Sequence, residues 1–128
     1  MTKTVSPNLI SIEVKTHYLE AQSEPDNDQY VFAYTITVTN TSEQPVQLLT
    51  RAWRITDANH KITRVAGDGV VGEQPHIASG ESFSYTSGTV LATPIGTMQG
   101  HYGMVTTEGE KFEVEIPSFR LAVPNILH

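Results

Sequence analysis

The stretch Gln29–Asn40, QYVFAYTITVTN, sets Tyr30, Phe32, Tyr34, Ile36 and Val38 against Val31, Ala33, Thr35, Thr37 and Thr39 in strict alternation. A pleated chain sends successive side chains to opposite faces, so period two over this length predicts a half-buried strand. Upstream, Ile10, Ile12 and Val14 repeat the alternation, with Ser11, Glu13 and Lys15 between them. The intervening SEPDND, Ser23–Asp28, carries Pro25 and three acids and reads as a polar loop between antiparallel neighbours.

Working toward the C-terminus, Trp53 and Ile55 alternate with Arg54 and Thr56, and DANHK (57–61) supplies a turn before KITRV (61–65). The doublet Leu48–Leu49 breaks the alternation and predicts a bulge or bend. Four further period-two runs follow: Phe83 with Tyr85; Met98, Gly100, Tyr102 and Met104; Phe112, Val114 and Ile116; and Phe119, Leu121 and Val123. Glu108–Gly109 falls between two of them as a tight hairpin turn. No window carries an apolar stripe at helical spacing, and Gly or Pro interrupts Gly67–Gly103 too often for long helices.

The expectation is an all-β domain of about seven to eight strands spanning residues 1–128, folded as a two-sheet antiparallel β-sandwich rather than a closed barrel. Trp53 belongs in its core, Tyr102 is placed for a corner hydrogen bond, and MTKTVSP (1–7) is expected to be flexible.

Fourteen acidic against eight basic residues give a formal charge of −6, which disfavours general binding to nucleic acid or anionic lipid. No apolar run approaches the ~20 residues of a spanning helix. The N-terminus MTKTVSPNLI lacks the apolar core of a secretory signal, so a cytoplasmic location is expected. The absence of cysteine removes disulfides, thiolate metal sites, iron–sulfur clusters and cysteine nucleophiles, and no cofactor is expected.

Gly67, Asp68, Gly69, Val70, Val71 and Gly72 spell G-x-G-x-x-G. That pattern cradles a pyrophosphate only where it closes a strand and opens a helix, because the helix N-terminus supplies the aligned N–H groups. Val65 could end such a strand, but Pro75 and Gly80 forbid the helix, and no acidic residue stands about twenty positions on to hold a ribose. The glycines therefore read as an inter-strand loop. A loop nest binding nucleotide, pyrophosphate or another anion is the alternative, with Asp68 and Glu73 opposing it.

His17, His60, His76, His101 and His128 show no metal-ligand spacing, which leaves His76 and His101 as weak candidates for a divalent-cation site on a folded sandwich. Asp26 and Asp28 begin like a calcium loop, but Tyr30 and Val31 occupy positions that need a ligand and a glycine. Thr86–Gly88 lacks the elbow that exposes a nucleophilic serine, and no catalytic residue is assigned. The remaining feature is two apolar-bearing connections, 67–77 and 88–100. Gly67, Asp68, Gly69, Val70, Val71, Gly72, Glu73, Gln74 and Pro75 are the expected ligand or partner-binding loop, and edge strands offer strand addition as a second mode.

The segments VAGDGVVGEQPHI (65–77), ESFSYTSG (81–88) and LATPIGTMQGHYGM (91–104) resemble the ApaG family, and the resemblance runs from near Ile10 to near Pro117. It implies a fibronectin type III-like, immunoglobulin-like β-sandwich of bacterial origin, linked to cobalt resistance and magnesium efflux, with no assigned catalytic activity. Related domains occur in eukaryotic F-box proteins and in a polymerase delta-interacting protein, which is similar to the usage of an interaction module. The bacterial family tends to accompany a diadenosine tetraphosphate hydrolase, the source of the nucleotide idea. Residues and resemblance together lead to the expectation of a non-enzymatic binding module with an unidentified protein partner.

Overall fold

A computed structural model describes residues 5–125. It contains β1 (Ile10–Tyr18), β2 (Tyr30–Asn40), β3 (Val46–Asp57), β4 (Ile62–Asp68), β5 (His76–Ile77), β6 (Ser82–Leu91), β7 (Ile95–Thr106) and β8 (Lys111–Ala122). One sheet runs β1-β2-β6; the other runs β4-β3-β7-β8, with β5 added to β3. Every pairing is antiparallel. The result is the antiparallel β-sandwich that the alternation predicts, arranged as the fibronectin type III-like resemblance implies.

The alternation in β2 does what the sequence requires. Phe32, Tyr34, Ile36 and Val38 are buried. On the opposite face Thr35, Thr37 and Thr39 pair hydroxyls with Thr86, Ser84 and Ser82 of β6, each at 2.7 Å. The larger sheet answers with Leu48, Trp53, Met98, Tyr102, Met104, Val114, Ile116 and Leu121, all buried. Trp53 is the centre of an aromatic group, with Tyr34, Tyr102 and Phe119 at 5.6, 6.4 and 5.9 Å, each ring edge-on to the indole. Such pairs add to the area they bury because a positive ring edge meets a negative ring face.

Two bulges keep the core continuous. Leu48 pairs with Met104 and Thr50 with Gly103, which leaves Leu49 as the extra residue of β3, at the doublet that breaks the alternation. In β8, Met98 faces Phe119 while Gly100 faces Ile116, so Pro117 and Ser118 stand opposite Gln99 alone. A bulge is where a strand tolerates proline, and it turns the next residue inward. The runs 112–116 and 119–123, which read as two strands, are for that reason one strand that changes face at Pro117.

Two other expectations are corrected. Of the segment 1–7 expected to be flexible, Val5 is buried in the core and Pro7 begins the 3-10 turn Pro7–Leu9, and residues 1–4 lie outside the described residues. β4 does not end at Val65 but continues through Gly67 to Asp68. The segment 88–100 is not a loop, because Gly88 lies within β6 and 95–100 within β7, which leaves Ala92–Pro94 as the connection. Gly100 marks a close backbone approach instead of a turn: a Cβ there would stand 2.0 Å from the Ala52 carbonyl oxygen.

One end of the sandwich is tied by a polar knot. Asn40 is fully buried at the end of β2 and donates from Nδ2 to the Gln44 and Ile77 carbonyls at 2.9 and 3.0 Å. Its Oδ1 accepts from the Ser42 amide and hydroxyl at 3.0 and 2.6 Å. With both ends of the amide satisfied, burial carries no desolvation penalty large enough to open the site.

Across the sandwich, the hydroxyls of Tyr85 on β6 and Tyr102 on β7 hydrogen-bond to each other, so Tyr102 makes an inter-sheet bond rather than a corner bond. Burial pushes the Tyr85 phenol up to about 12 and raises Tyr102 as well, since a phenolate there would lose its water. Both shifts are upward from 10.0, so the native state holds its protons where the unfolded chain has begun to release them. Their contribution is complete below pH 10 and is lost as pH rises above it, at about 1.4 kcal/mol per pH unit for each phenol. Urea unfolding from pH 8 to 11.5 should show this alkaline fall, and the double variant Tyr85→Phe, Tyr102→Phe should flatten it. An equally steep fall in that variant would remove the pair as its cause.

Candidate functional site

The segment that leaves β4 is built on the bulge of β3. Leu49 has no partner on β7, and its carbonyl instead accepts from the Gly69 amide at 2.7 Å and from Gln74 Nε2 at 3.0 Å. Leu48 donates to the Pro75 carbonyl at 3.0 Å and Gln47 Nε2 to the Gln74 carbonyl at 3.1 Å. Between these anchors Val70 and Glu73 exchange backbone hydrogen bonds of 2.8 and 2.9 Å around Val71 and Gly72, whose φ angles are 43° and 82°. Two left-handed central residues are what a two-residue type I′ turn requires. Gly69, at φ 67°, has no room for a side chain, because a Cβ would meet the Glu73 carbonyl oxygen at 2.3 Å.

The expected binding loop is thereby divided. Gly67 and Asp68 are the last residues of β4; Gln74 and Pro75 hold the loop to β3; Glu73 closes the turn. Val70 is 0% exposed and belongs to the core, so it has no surface to offer a partner, whereas Val71 is 53% exposed. The amides of Gly69, Val70 and Glu73 are occupied by backbone carbonyls. The chain after Gly72 enters β5 and β6, and among the described residues no helix follows the glycines.

The sandwich is open on one side. β1 packs against β8 along the other side, while the smaller sheet ends at β6 and the larger continues to β4. Val65, on the inward row of β4 opposite Trp53, remains 39% exposed, and Ile62, on the outer row opposite Thr56, 46%. Where this side meets the loop lies a hollow of about 370 Å³, walled by Tyr34, Trp53, Asp68, Val71, Tyr85 and Ser87 and floored by Arg51. Arg51 passes over Gly67, where a Cβ would approach its Nη1 to 3.1 Å, and Nη1 donates to the Asp68 and Gly69 carbonyls at 2.9 and 3.0 Å. Among the described residues no carboxylate pairs with this half-buried guanidinium. Sequence reasoning missed Arg51; the signal was a cation in register with Trp53 and Ile55 on an inward row.

The two candidate histidines are not brought together. His76 lies on β5 opposite Gln47, and His101 lies on β7 opposite Ala52, five positions along β3 and on its other flank. His101 Nε2 stands 3.3 Å from Glu113. Among the described residues no three His, Asp or Glu side chains gather as a metal site, and no helix is long and apolar enough to cross a membrane. On the outer face of the larger sheet Arg54 and Arg64 are directly opposite across β3 and β4, above a floor of Ala52, Ala66 and Gly100.

The two valines of the turn should respond in opposite directions. Val70→Ala removes a packed side chain from the core and is expected to cost about 2 kcal/mol. Val71→Asn relieves a β-branched residue of a left-handed backbone and supplies the Asn-Gly pair that this turn favours, a gain of about 1 kcal/mol. Urea midpoints of the two variants beside the parent protein measure both; a destabilised Val71→Asn would contradict the strain.

The profile of the ApaG domain matches residues 20–106. The chain is 56% identical to Protein ApaG of Photobacterium profundum over 123 residues, 96% of this chain and 97% of that one. It is also 56% identical to Protein ApaG of an Enterobacter species, over 93% of this chain and 95% of that one. Two solved structures superpose on nearly the whole fold. An X-ray structure from the Northeast Structural Genomics Consortium gives a TM-score of 0.90 at 54% identity, covering 95% of this chain and 92% of that one. A Bordetella pertussis protein gives 0.89 at 49% identity, covering 91% and 95%. With a family profile over more than half its length and relatives of this similarity from end to end, the chain belongs to the ApaG family.

Proposed function

We propose that this protein is a non-enzymatic, cytoplasmic binding module that takes an extended segment of a partner protein along its open side, by strand addition to β4. The observation that carries this reading is β4 itself: an edge strand that extends beyond β6, the last strand of the smaller sheet, with Val65 exposed on its cleft-facing side and Ile62 exposed on the outer face. An edge presents unpaired N–H and C=O groups in a row, and an incoming strand satisfies them while its alternate side chains on the cleft side settle beside Val65. The edge at β8 differs, because the turn Pro7–Leu9 and β1 pack on that strand. In this reading the family link to cobalt resistance and magnesium efflux runs through the partner, which handles the cation.

Val65→Lys puts a charge at the centre of the edge and on its cleft-facing side, a substitution that blocks strand pairing without opening the core. The variant should unfold within about 0.5 kcal/mol of the parent, as substitutions of exposed residues do. It should recover at least ten-fold less of the parent's partners from a native cytoplasmic extract. A folded Val65→Lys protein that retains every partner would overturn strand addition at β4.

A further inference from the structure

We infer that the hollow floored by Arg51 is a carboxylate pocket, and that the segment bound along β4 places an acidic group there. This rests on the binding reading above and adds to it the chemistry of the ligand. Charge points to it first. A guanidinium drawn halfway into a protein keeps its ionisation and calls for an anion, and among the described residues no carboxylate supplies one. Asp68 lines the hollow and gives Nη1 its backbone carbonyl, but it stands opposite Thr50, on the row of β4 that alternates with Gly67, and makes no ion pair with Arg51.

Geometry points the same way. Among the described residues both hydrogen bonds of Arg51 leave from Nη1, which fixes the guanidinium against the loop and leaves the Nε–Nη2 edge. That edge carries two parallel N–H donors, the fork that matches a planar carboxylate. Gly67 gives the guanidinium its seat, since any side chain there would press on it. Tyr34 and Trp53 wall the hollow with aromatic surface, which strengthens a charge-assisted hydrogen bond by excluding water. The Tyr85 and Tyr102 phenols are held protonated by burial, so they add no negative charge. A single carboxylate balances a single guanidinium; a phosphate dianion would leave an excess charge in a protein already at −6.

The hollow is also in the right place. It lies at the loop end of the open side, next to Val71, where Arg51 stands opposite Gly67 of β4, so a side chain of a segment paired beside Gly67 is directed toward it. The acidic group can be a Glu or Asp side chain or the C-terminus of the bound segment, and the two are separable by experiment.

The probes are acetate, inorganic phosphate and three synthetic six-residue Val-Thr strand peptides. One is amidated with Glu at its last position, one is amidated with Gln there, and one has a free C-terminus and no acidic side chain. The first readout is the Arg51 Nε–H resonance at constant ionic strength, which acetate should shift more than phosphate. The second is peptide affinity together with amide shifts along β4. The Glu peptide should bind at least ten-fold tighter than the Gln peptide, and Arg51→Gln should abolish that difference, with Arg51→Lys restoring part of it. The free-C-terminus peptide matching the Glu peptide assigns the pocket to a chain end; matching the Gln peptide assigns it to a side chain. Equal binding of Glu and Gln peptides by the parent protein, with shifts along β4, overturns the pocket and leaves strand addition standing. An Arg51 response to acetate with no peptide shifts along β4 overturns the strand reading and keeps the pocket. Should Arg51→Gln fail to fold, the Glu-against-Gln comparison on the parent protein decides the matter alone.

Discussion

The extra residue at Leu49 determines more of this molecule than any buried side chain. Before it, Val46 and Leu48 face the core; after it, the inward row of β3 becomes Arg51, Trp53 and Ile55. A strand's side chains repeat every two residues, so one inserted residue exchanges its two faces from that point onward. Without the bulge Trp53 would face solvent and Ala52 and Arg54 would face the core. The same insertion releases the Leu49 carbonyl from the sheet, and that carbonyl holds Gly69 and Gln74. Core, loop and Arg51 hollow thus share one backbone irregularity.

A second insertion, at Pro117–Ser118 in β8, works in the same way on the other flank of β7. It returns Phe119 and Leu121 to the interior, where Phe119 completes the ring set around Trp53. β7 between them keeps one inward row throughout, Met98, Tyr102 and Met104, and serves as the straight reference against which its neighbours are corrected. The Tyr85–Tyr102 bond then links this strand to the smaller sheet through the middle of the core. Two apolar faces can slide on one another at little cost, but a buried hydroxyl that loses its partner cannot, so the bond fixes how the sheets sit.

The same physics explains what could be read from the chain and what could not. Alternation made β2 and β1 legible, and its interruption at Leu48–Leu49 located the bulge. Glycine misled twice. In 88–100 it marks backbones packed closely within strands, as at Gly100 beneath Ala52, and not a break in the sheet. In 67–72 three glycines in one pattern serve three separate ends: a seat for Arg51, clearance from Glu73 and the second turn position. Adjacent valines could not be told apart by type, because burial of Val70 and exposure of Val71 follow from a turn that only the folded β3–β4 pair creates. Arg51 was hidden for a similar reason. Its inward direction depends on counting residues from Trp53, and which carboxylates come near it is decided by the whole fold.

Val71 joins two unfavourable conditions in one residue. It is β-branched in a left-handed backbone, a conformation that crowds its Cβ against the following carbonyl, and it exposes over half of its apolar surface to water. Neither condition helps the fold, and Asn-Gly would make the same turn without them. Strain of this kind persists where the surroundings over-determine it and gathers beside sites that bind. Here the surroundings are the anchors on Leu49, Val70 and Glu73, and the neighbour is the Arg51 hollow. The turn holds an apolar side chain upright at the end of an uncovered strand edge, next to a guanidinium that no carboxylate among the described residues reaches. An extended acidic segment would cover the first, complete the second and answer the third, which gives one occupant for three features that the fold itself leaves unsatisfied.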